Sequence, residues 1–546
     1  MNRIVKALGA FALTLTLIFT LAATGLCAAA QEPESELSAA GYLVVLKEPE
    51  EAVSEDGEDA AALFGLQATL FAAEAEREDL IPLAEEMGIY KADDLDDIQN
   101  LVWSGQVELV EPDYEAQLFE LDINDPANPN DDYFQSHYQF NLTDINAQSA
   151  WDAGLTGEGV TVAVIDSGLN VDHLDVPTKV GRGRYYFYRE EEDGRYTFNG
   201  KKYNYYSNDN ITDNVGHGTM VSGIIAANTN NRSSSYTGGI AGIAPNVTIM
   251  PVRCFTSTKG HLGGYTSNLI SGINYAVTNG ADIINMSWGI ASESNALKKT
   301  INNAATAGCI LIAAAGNDGS STPQYPAAYP NVISVGSTNK LGGLSNFSQR
   351  TETVNICAPG GTLGGQQIYS LWYTSKDGIG KGDGTSFSAP LVAGAAALLK
   401  EHDPSMTQAD FMALLRDNSD LDRIAAADRP YAGYGMIDLK KLLTATGHTG
   451  AMLRYGENSA VTIRAAHFPT ADEGAGHYAL VMIGAYNPAG HLLDSRIAIS
   501  DLAAGYGAYS LTATFQNPEA ATLKAYFLDS ATLVPLGQPV EVTIAQ

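Results

Sequence analysis

Five short apolar runs constrain this chain more than any other feature. They are VTVAVID (160–166), TIMPVRCF (248–255), ADIINMSW (281–288), CILIAAAG (309–316) and VISVGS (332–337). Each is continuously apolar and rich in Val and Ile. A strand with water on one face alternates apolar and polar residues; a strand covered on both faces does not. Helical patterns lie between the runs. NLISGINYAVTNG places Ile270, Ile273 and Val277 on one face and stops at Gly280, and NALKKTINNAATAG places Leu297, Ile301 and Ala305 likewise and stops at Gly308. Strands alternating with helices predict an α/β fold, a parallel doubly wound sheet with helices on both faces. In such sheets, sites form at the carboxyl ends of the strands.

The chain has 546 residues, enough for more than one domain. MNRIVK followed by a long apolar run and small residues reads as a secretory signal over residues 1–30, with cleavage expected after Ala30. The run is also long enough for an uncleaved anchor, but the small residues and the acidic stretch that follow favour cleavage. Residues 31–119 are acidic, with strand patterns GYLVVL near the start and QVELVEPD near the end and an Ala/Leu/Glu-rich helical stretch over 61–80. Between 31 and 122 the only cations are Lys47, Arg77 and Lys91. Residues 182–212 alternate aromatic and polar side chains and read as inserted surface hairpins. Residues 449–546 carry alternating runs at regular intervals and predict a small antiparallel β-sandwich.

The net charge is −32. So acidic a chain is a poor partner for phosphate backbones, which excludes nucleic acid. Beyond the leader, Cys254, Cys309 and Cys357 each sit in an apolar run; their odd number excludes a fully paired disulfide framework, and they read as buried free thiols.

Three polar stretches stand at the ends of apolar elements. AVIDSG leaves Asp166 where the first core strand ends. NVGHGTMVSG puts His217 at the start of a helix whose first turns are small, and GDGTSFSAPLVAGAAALL puts Ser386 at the start of another. A helix start offers unpaired backbone N–H groups and the positive end of the helix dipole. A hydroxyl there can be activated by an imidazole that a carboxylate orients. Taken singly, an Asp after a strand is a turn residue, a Ser at a helix start is a cap, and a lone His is a polar core or surface group. Their joint occurrence, in the order Asp, His, Ser, is what points to chemistry.

AVIDSG, GHGTMVSG and GTSFSAP closely match three signature blocks of the subtilisin-like serine peptidases, and AAAGNDG and INMSWG resemble two further family segments. The resemblance covers about 123–447. It implies that Asp166 orients, that His217 is general base and then acid, and that Ser386 is the nucleophile. It implies that Asn317 donates to the oxyanion together with the Ser386 backbone N–H. Ser287, Trp288 and Gly289 align with the edge that pairs with an extended substrate, and Gln324 falls at the specificity pocket. It also implies four segments: signal peptide 1–30, a small α+β inhibitory propeptide 31–119 with maturation near Phe119, a catalytic domain 123–447, and an accessory β-sandwich 449–546. The function implied is a secreted, bacterial, self-processing serine endopeptidase acting on protein or peptide, with its own propeptide as inhibitor and cell-wall or surface contact through 449–546. No cofactor is expected for catalysis. A structural calcium ion is left open: Asp175 falls at a family ligand position, but ANTNNRSSSYTGGIAG does not reproduce the partner residues.

The chain departs from many relatives with Met220 after GHGT and with Phe387-Ser388-Ala389 after Ser386. Pro390 reads as close enough to the helix start to be tolerated. Two other readings compete. An esterase of the α/β-hydrolase type needs a G-x-S-x-G elbow, which the chain lacks. A catalytically silent adhesion protein on the same scaffold is disfavoured by the presence of all three triad residues.

Overall fold

The computed structural model describes residues 42–46, 80–84, 87, 89–92, 107–113 and 117–118, then 138–447 apart from 178 and 230–238, and strands between 449 and 543. The readings of the leader, of the helical stretch over 61–80 except Leu80, and of Phe119 lie outside the described residues.

Strands β1 (Tyr42–Leu46), β2 (Ile81–Ala84), β3 (Ile89–Ala92) and β4 (Val107–Pro112) form an antiparallel sheet in the order β2-β3-β1-β4, and β5 (Gln117–Leu118) follows. Alternation divides its side chains between two clusters. Leu43, Val45 and Ile89 pack with Leu269, Ile273 and Leu297 of the following domain, whereas Val44, Leu46 and Tyr90 pack with Leu80 and Ala92.

The central sheet has eleven strands. Its main path is built from β6 (Thr161–Asp166), β7 (Arg184–Glu190), β8 (Tyr196–Phe198), β9 (Lys201–Asn208), β10 (Thr248–Arg253), β11 (Ile283–Met286), β13 (Ile310–Ala314), β14 (Ile333–Thr338) and β15 (Ile356–Pro359). The two-residue β12 (Trp288–Gly289) lies outside it. The order is β15-β14-β13-β11-β6-β10-β7-β9-β8, parallel from β15 to β7. Strand β6 shows why the apolar runs are unbroken. Val162 and Val164 face one core cluster and Ala163 and Ile165 the other, so every position is inside. Helices α1 (His217–Ala226) and α4 (Thr385–His402) cover the first face; α2 (Thr266–Thr278) and α3 (Asn295–Thr306) cover the second. Each large apolar side chain buried this way contributes roughly 1.5–3 kcal/mol relative to exposure. A short hairpin, β16 (Ile368–Leu371) and β17 (Ile379–Gly382), precedes α4.

The insert at 182–212 is not a set of separate surface hairpins. It continues the central sheet: β7 pairs parallel to β10 through Arg184 and Tyr185, and β9 pairs antiparallel to β7 and β8. Its alternating aromatics supply the reason. Tyr188, Tyr196 and Tyr203 are buried together with Tyr265 against the start of α2, which gives the insert an apolar face of its own.

Beyond 447 the described strands are β18 (Thr449–Tyr455), β19 (Ala460–His467), β20 (Tyr478–Tyr486), β21 (Leu492–Asp501), β22 (Gly507–Thr514), β23 (Thr522–Asp529) and β24 (Val540–Thr543). They pair antiparallel in two sheets, β18-β19-β22 and β21-β20-β23-β24.

Cys254, Cys309 and Cys357 are all buried free thiols. Burial raises each thiol: to about 11 for Cys309, to about 12 for Cys357, and well above its usual value for Cys254. The thiolate is the reactive species. Iodoacetamide at pH 8 should therefore leave these three cysteines unmodified in the folded chain and alkylate all three after unfolding, as read by peptide mass mapping. Modification of any of them in the folded chain would contradict this packing.

Candidate active site

The first residue of the site is set by the end of a strand. Asp166 is the last residue of β6 and is wholly buried. Its Oδ1 accepts from Ser167 N at 2.7 Å, which fixes the carboxylate plane. His217 opens α1 and is equally buried. Its Nδ1 lies 2.8 Å from Asp166 Oδ1 and 2.9 Å from Oδ2. A carboxylate can only accept, so Nδ1 carries the proton and the neutral ring presents Nε2 as its basic nitrogen.

Two local devices make this approach possible. Gly218 lies so close to the end of β6 that a Cβ there would fall 2.4 Å from Gly168 O, and Gly218 N donates to Ser167 Oγ at 2.8 Å. The helix start has no capping side chain at Gly216. Asp213 caps it instead: Oδ2 accepts from Thr219 N at 2.9 Å and Thr219 Oγ1 at 2.7 Å, and Oδ1 accepts from Gly216 N at 2.8 Å. Sequence reasoning missed Asp213. The signal is an Asp a few residues ahead of a helix that opens on Gly-His-Gly, where no other acceptor is at hand.

Ser386 is the second residue of α4 and is fully buried. The His217 ring lies 6.0 Å from the ring of Phe387, so the structure brings the two helix starts together. Ser386 is held from both ends by one residue. Its Oγ donates to Ser287 O at 3.0 Å, and its carbonyl accepts from Ser287 Oγ at 3.0 Å. Asn285 Nδ2 donates to the same Ser287 Oγ at 3.0 Å.

Pro390 explains why that carbonyl is available. It is not at the helix start but is the sixth residue of α4. It has no N–H to give to the carbonyl four residues back, which is that of Ser386. The tolerance expected from a position near the start comes instead from Ser287, which supplies the missing donor. Gly384, just before α4, has φ 151°, a region that favours glycine. Ser388 is buried against Gly360, where a Cβ would fall 2.4 Å from its Oγ, and its hydroxyl has no hydrogen-bond partner among the described residues. Its role is packing.

Asn317 follows β13. Its Oδ1 accepts from Thr385 N at 2.9 Å and Thr385 Oγ1 at 2.8 Å. Anchoring the oxygen leaves the opposite end of the amide, Nδ2, to point away from Thr385. Thr385 stands inside the GTSFSAP block, but its role was not legible there. Gln324 is half-buried beside Gly316, the neighbour of Asn317: a Cβ on Gly316 would fall 2.9 Å from Gln324 Cγ. Trp288 divides into two parts. Its indole is in the core and donates to Ile165 O at 2.9 Å, so its side chain is structural. The backbone of Trp288–Gly289 is the part that meets another chain segment, pairing antiparallel with Leu118 and Gln117 of β5. An extended peptide thus lies along the edge next to Ser287.

Asp175 stands apart from this group. Its Oδ2 accepts from Ile240 N at 2.8 Å. Among the described residues no group of three His, Cys, Asp or Glu side chains converges to hold a metal, and residues 230–238 lie outside them.

The family model described as "Subtilase family" matches residues 157–456. The chain is 35% identical to the minor extracellular protease Epr of Bacillus subtilis, over 57% of this chain and 43% of that protein, less than half of its length. It is 37% identical to the major intracellular serine protease of Bacillus subtilis, over 48% of this chain and 75% of that protein. It is 36% identical to thermitase of Thermoactinomyces vulgaris, over 50% of this chain and 85% of that protein.

The reciprocal bonds predict that Ser287→Ala leaves a buried carbonyl without its donor. The cost should be about 1–3 kcal/mol, measured by denaturant unfolding in a Ser386→Ala background that prevents self-digestion. A change below about 0.5 kcal/mol, the ordinary effect of a surface substitution, would show that the Ser287 hydroxyl does not hold α4.

Proposed function

The chain belongs to the subtilase family, and on that premise we propose that it is a serine-type endopeptidase whose nucleophile is Ser386. One observation carries the reading furthest: an extended backbone pairs with Trp288–Gly289 beside the residue that holds Ser386 at both ends. Backbone pairing of this kind binds peptides with little dependence on their side chains.

The Ser386 Oγ attacks the peptide carbonyl while its proton passes to His217 Nε2. The carbonyl oxygen becomes an oxyanion, stabilised by Asn317 Nδ2–H and the Ser386 backbone N–H at the positive end of α4. His217 then gives the proton to the departing amine, the C–N bond breaks, and an ester on Ser386 remains. Water, deprotonated by the same nitrogen, hydrolyses the ester. Asp166 stays ionised throughout; it holds the tautomer and stabilises the imidazolium. Asp213 and Thr385 position His217 and Asn317 respectively. No step of this sequence uses a cofactor.

The reading extends to the rest of the chain. Residues 1–30 act as a secretion signal, 31–119 as an inhibitory propeptide that the enzyme removes near Phe119, 123–447 as the catalytic domain, and 449–546 as an accessory domain contacting a cell wall or another surface. Supporting it, the Epr protein of Bacillus subtilis is named as extracellular. The strand β5, just ahead of Phe119, occupies the peptide-binding edge as a product would. A structural calcium ion at Asp175 is not part of the proposal.

A fluorophosphonate should label Ser386 in the matured protein, and Ser386→Ala should remove both labelling and peptide hydrolysis. Asn317→Leu should lower kcat about 10²–10³-fold. By mass spectrometry, the Ser386→Ala chain should retain residues 31–119 where the wild type loses them. No labelling and no hydrolysis would overturn the proposal; processing of the variant like wild type would overturn self-cleavage.

A further inference from the structure

Strand β3 places Ile89 and Lys91 on the same face, and the register pairs Leu43 with both Lys91 and Glu111. That face is the one packed on the following domain. Lys91 therefore occupies a position where the pattern of the sheet asks for an apolar side chain. It is fully buried, and it is one of only three cations between residues 31 and 122. An unpartnered ammonium there would be prohibitive.

Its surroundings are built for it. Nζ lies 2.5 Å from Asp113 Oδ2, with both side chains at 0% exposure. Nζ also sits 4.3 Å from the centre of the Tyr188 ring and 5.2 Å from that of Tyr196, and the two rings meet edge to face at 5.6 Å. Asp113 in turn accepts from Ser267 N at 2.7 Å, at the start of α2, and the Tyr188 hydroxyl bonds Ser267 Oγ at 2.7 Å. Lysine and carboxylate come from the N-terminal segment; both rings come from the insert on the central sheet. Aromatic faces enclosing an ammonium are a recognition device. Both charges belong to the N-terminal segment, so what crosses to the following domain is the ammonium on the two rings and Asp113 on the start of α2, and the rings are the part that can discriminate between segments.

We propose that the tyrosine-walled pocket of the β7–β9 insert is a lysine-recognition site whose intended occupant is the chain's own β1–β4 sheet, and that it selects which N-terminal segment this domain retains as inhibitor. The proposal rests on the inhibitory reading of that segment. An acidic segment with an apolar residue at position 91 leaves the rings without their cation and takes from Asp113 its buried countercharge. A segment carrying the lysine is poorly accommodated by a domain that lacks the two rings. Backbone pairing along β12 accepts many sequences; the pocket accepts one.

The test separates retention from catalysis. A Ser386→Ala chain with a foreign protease's recognition sequence placed after Phe119 is cut by that protease, and departure of the segment is timed by size exclusion. Lys91→Met should speed departure about thirtyfold, the loss of a desolvated ammonium–ring contact. Tyr196→Leu should speed it comparably, Tyr196→Phe should leave it near wild type, and Lys91→Met with Tyr196→Leu should be no faster than the faster single variant. Departure within twofold of wild type for Lys91→Met and Tyr196→Leu, or rates that multiply in the double variant, would overturn the inference. If Lys91→Met does not fold, the Leu and Phe variants of Tyr196 decide alone. Hydrolysis by the unmodified chain is measured separately, so failure of the enzyme reading appears there and not in these rates.

Discussion

Everything at the site depends on how closely two helices approach the end of one strand. Asp166 and His217 stand 2.8 Å apart because α1 starts almost against the turn that follows β6. A side chain at Gly218 would displace that start. The same constraint shapes α4, where a Cβ at Gly394 would fall 1.9 Å from Ile243 Cγ2. Burial of both sheet faces supplies the driving force, and small residues on the helices convert it into distance. The approach of Asp166 and His217 is thus a by-product of packing density as much as of polar bonding.

This explains what could be read in advance. The unbroken runs at 160–166 and 309–316 report burial on both faces, so the parallel sheet was legible from hydrophobicity alone. Asp166, His217 and Ser386 were legible because they occur together and in that order, each where an apolar element ends and each within a block that resembles a subtilisin-like signature. Asp213, Thr385 and the pairing of Ser287 with Ser386 were not. Asp213 is marked only by its place ahead of a helix that opens on Gly-His-Gly; for Thr385 and Ser287 nothing in residue type or spacing marks which carbonyl, N–H or amide a hydroxyl will meet. The aromatic insert was misread for a related reason: alternation shows that one face is apolar, not that a sheet edge and α2 are waiting to cover it.

The N-terminal sheet meets the following domain through two kinds of contact with different tolerances. One is generic: β5 pairs by its backbone, and Glu111 accepts from Asn295 N and Ala296 N, each at 2.8 Å, at the start of α3. Any carboxylate on any strand could do as much. The other is particular, a lysine at an apolar position facing two tyrosines. Generic contacts supply hold and particular ones supply identity, and separating them lets each change without loss of the other.

Pro390 has a consequence that reaches past the helix containing it. Because it withholds one donor, the first turn of α4 is tied sideways to the segment carrying β12 rather than only to itself. The edge on which β5 lies and the turn that carries Ser386 are therefore one mechanical part. A displacement of that edge is therefore passed through Ser287 to Ser386. A missing hydrogen serves here as a coupling rod.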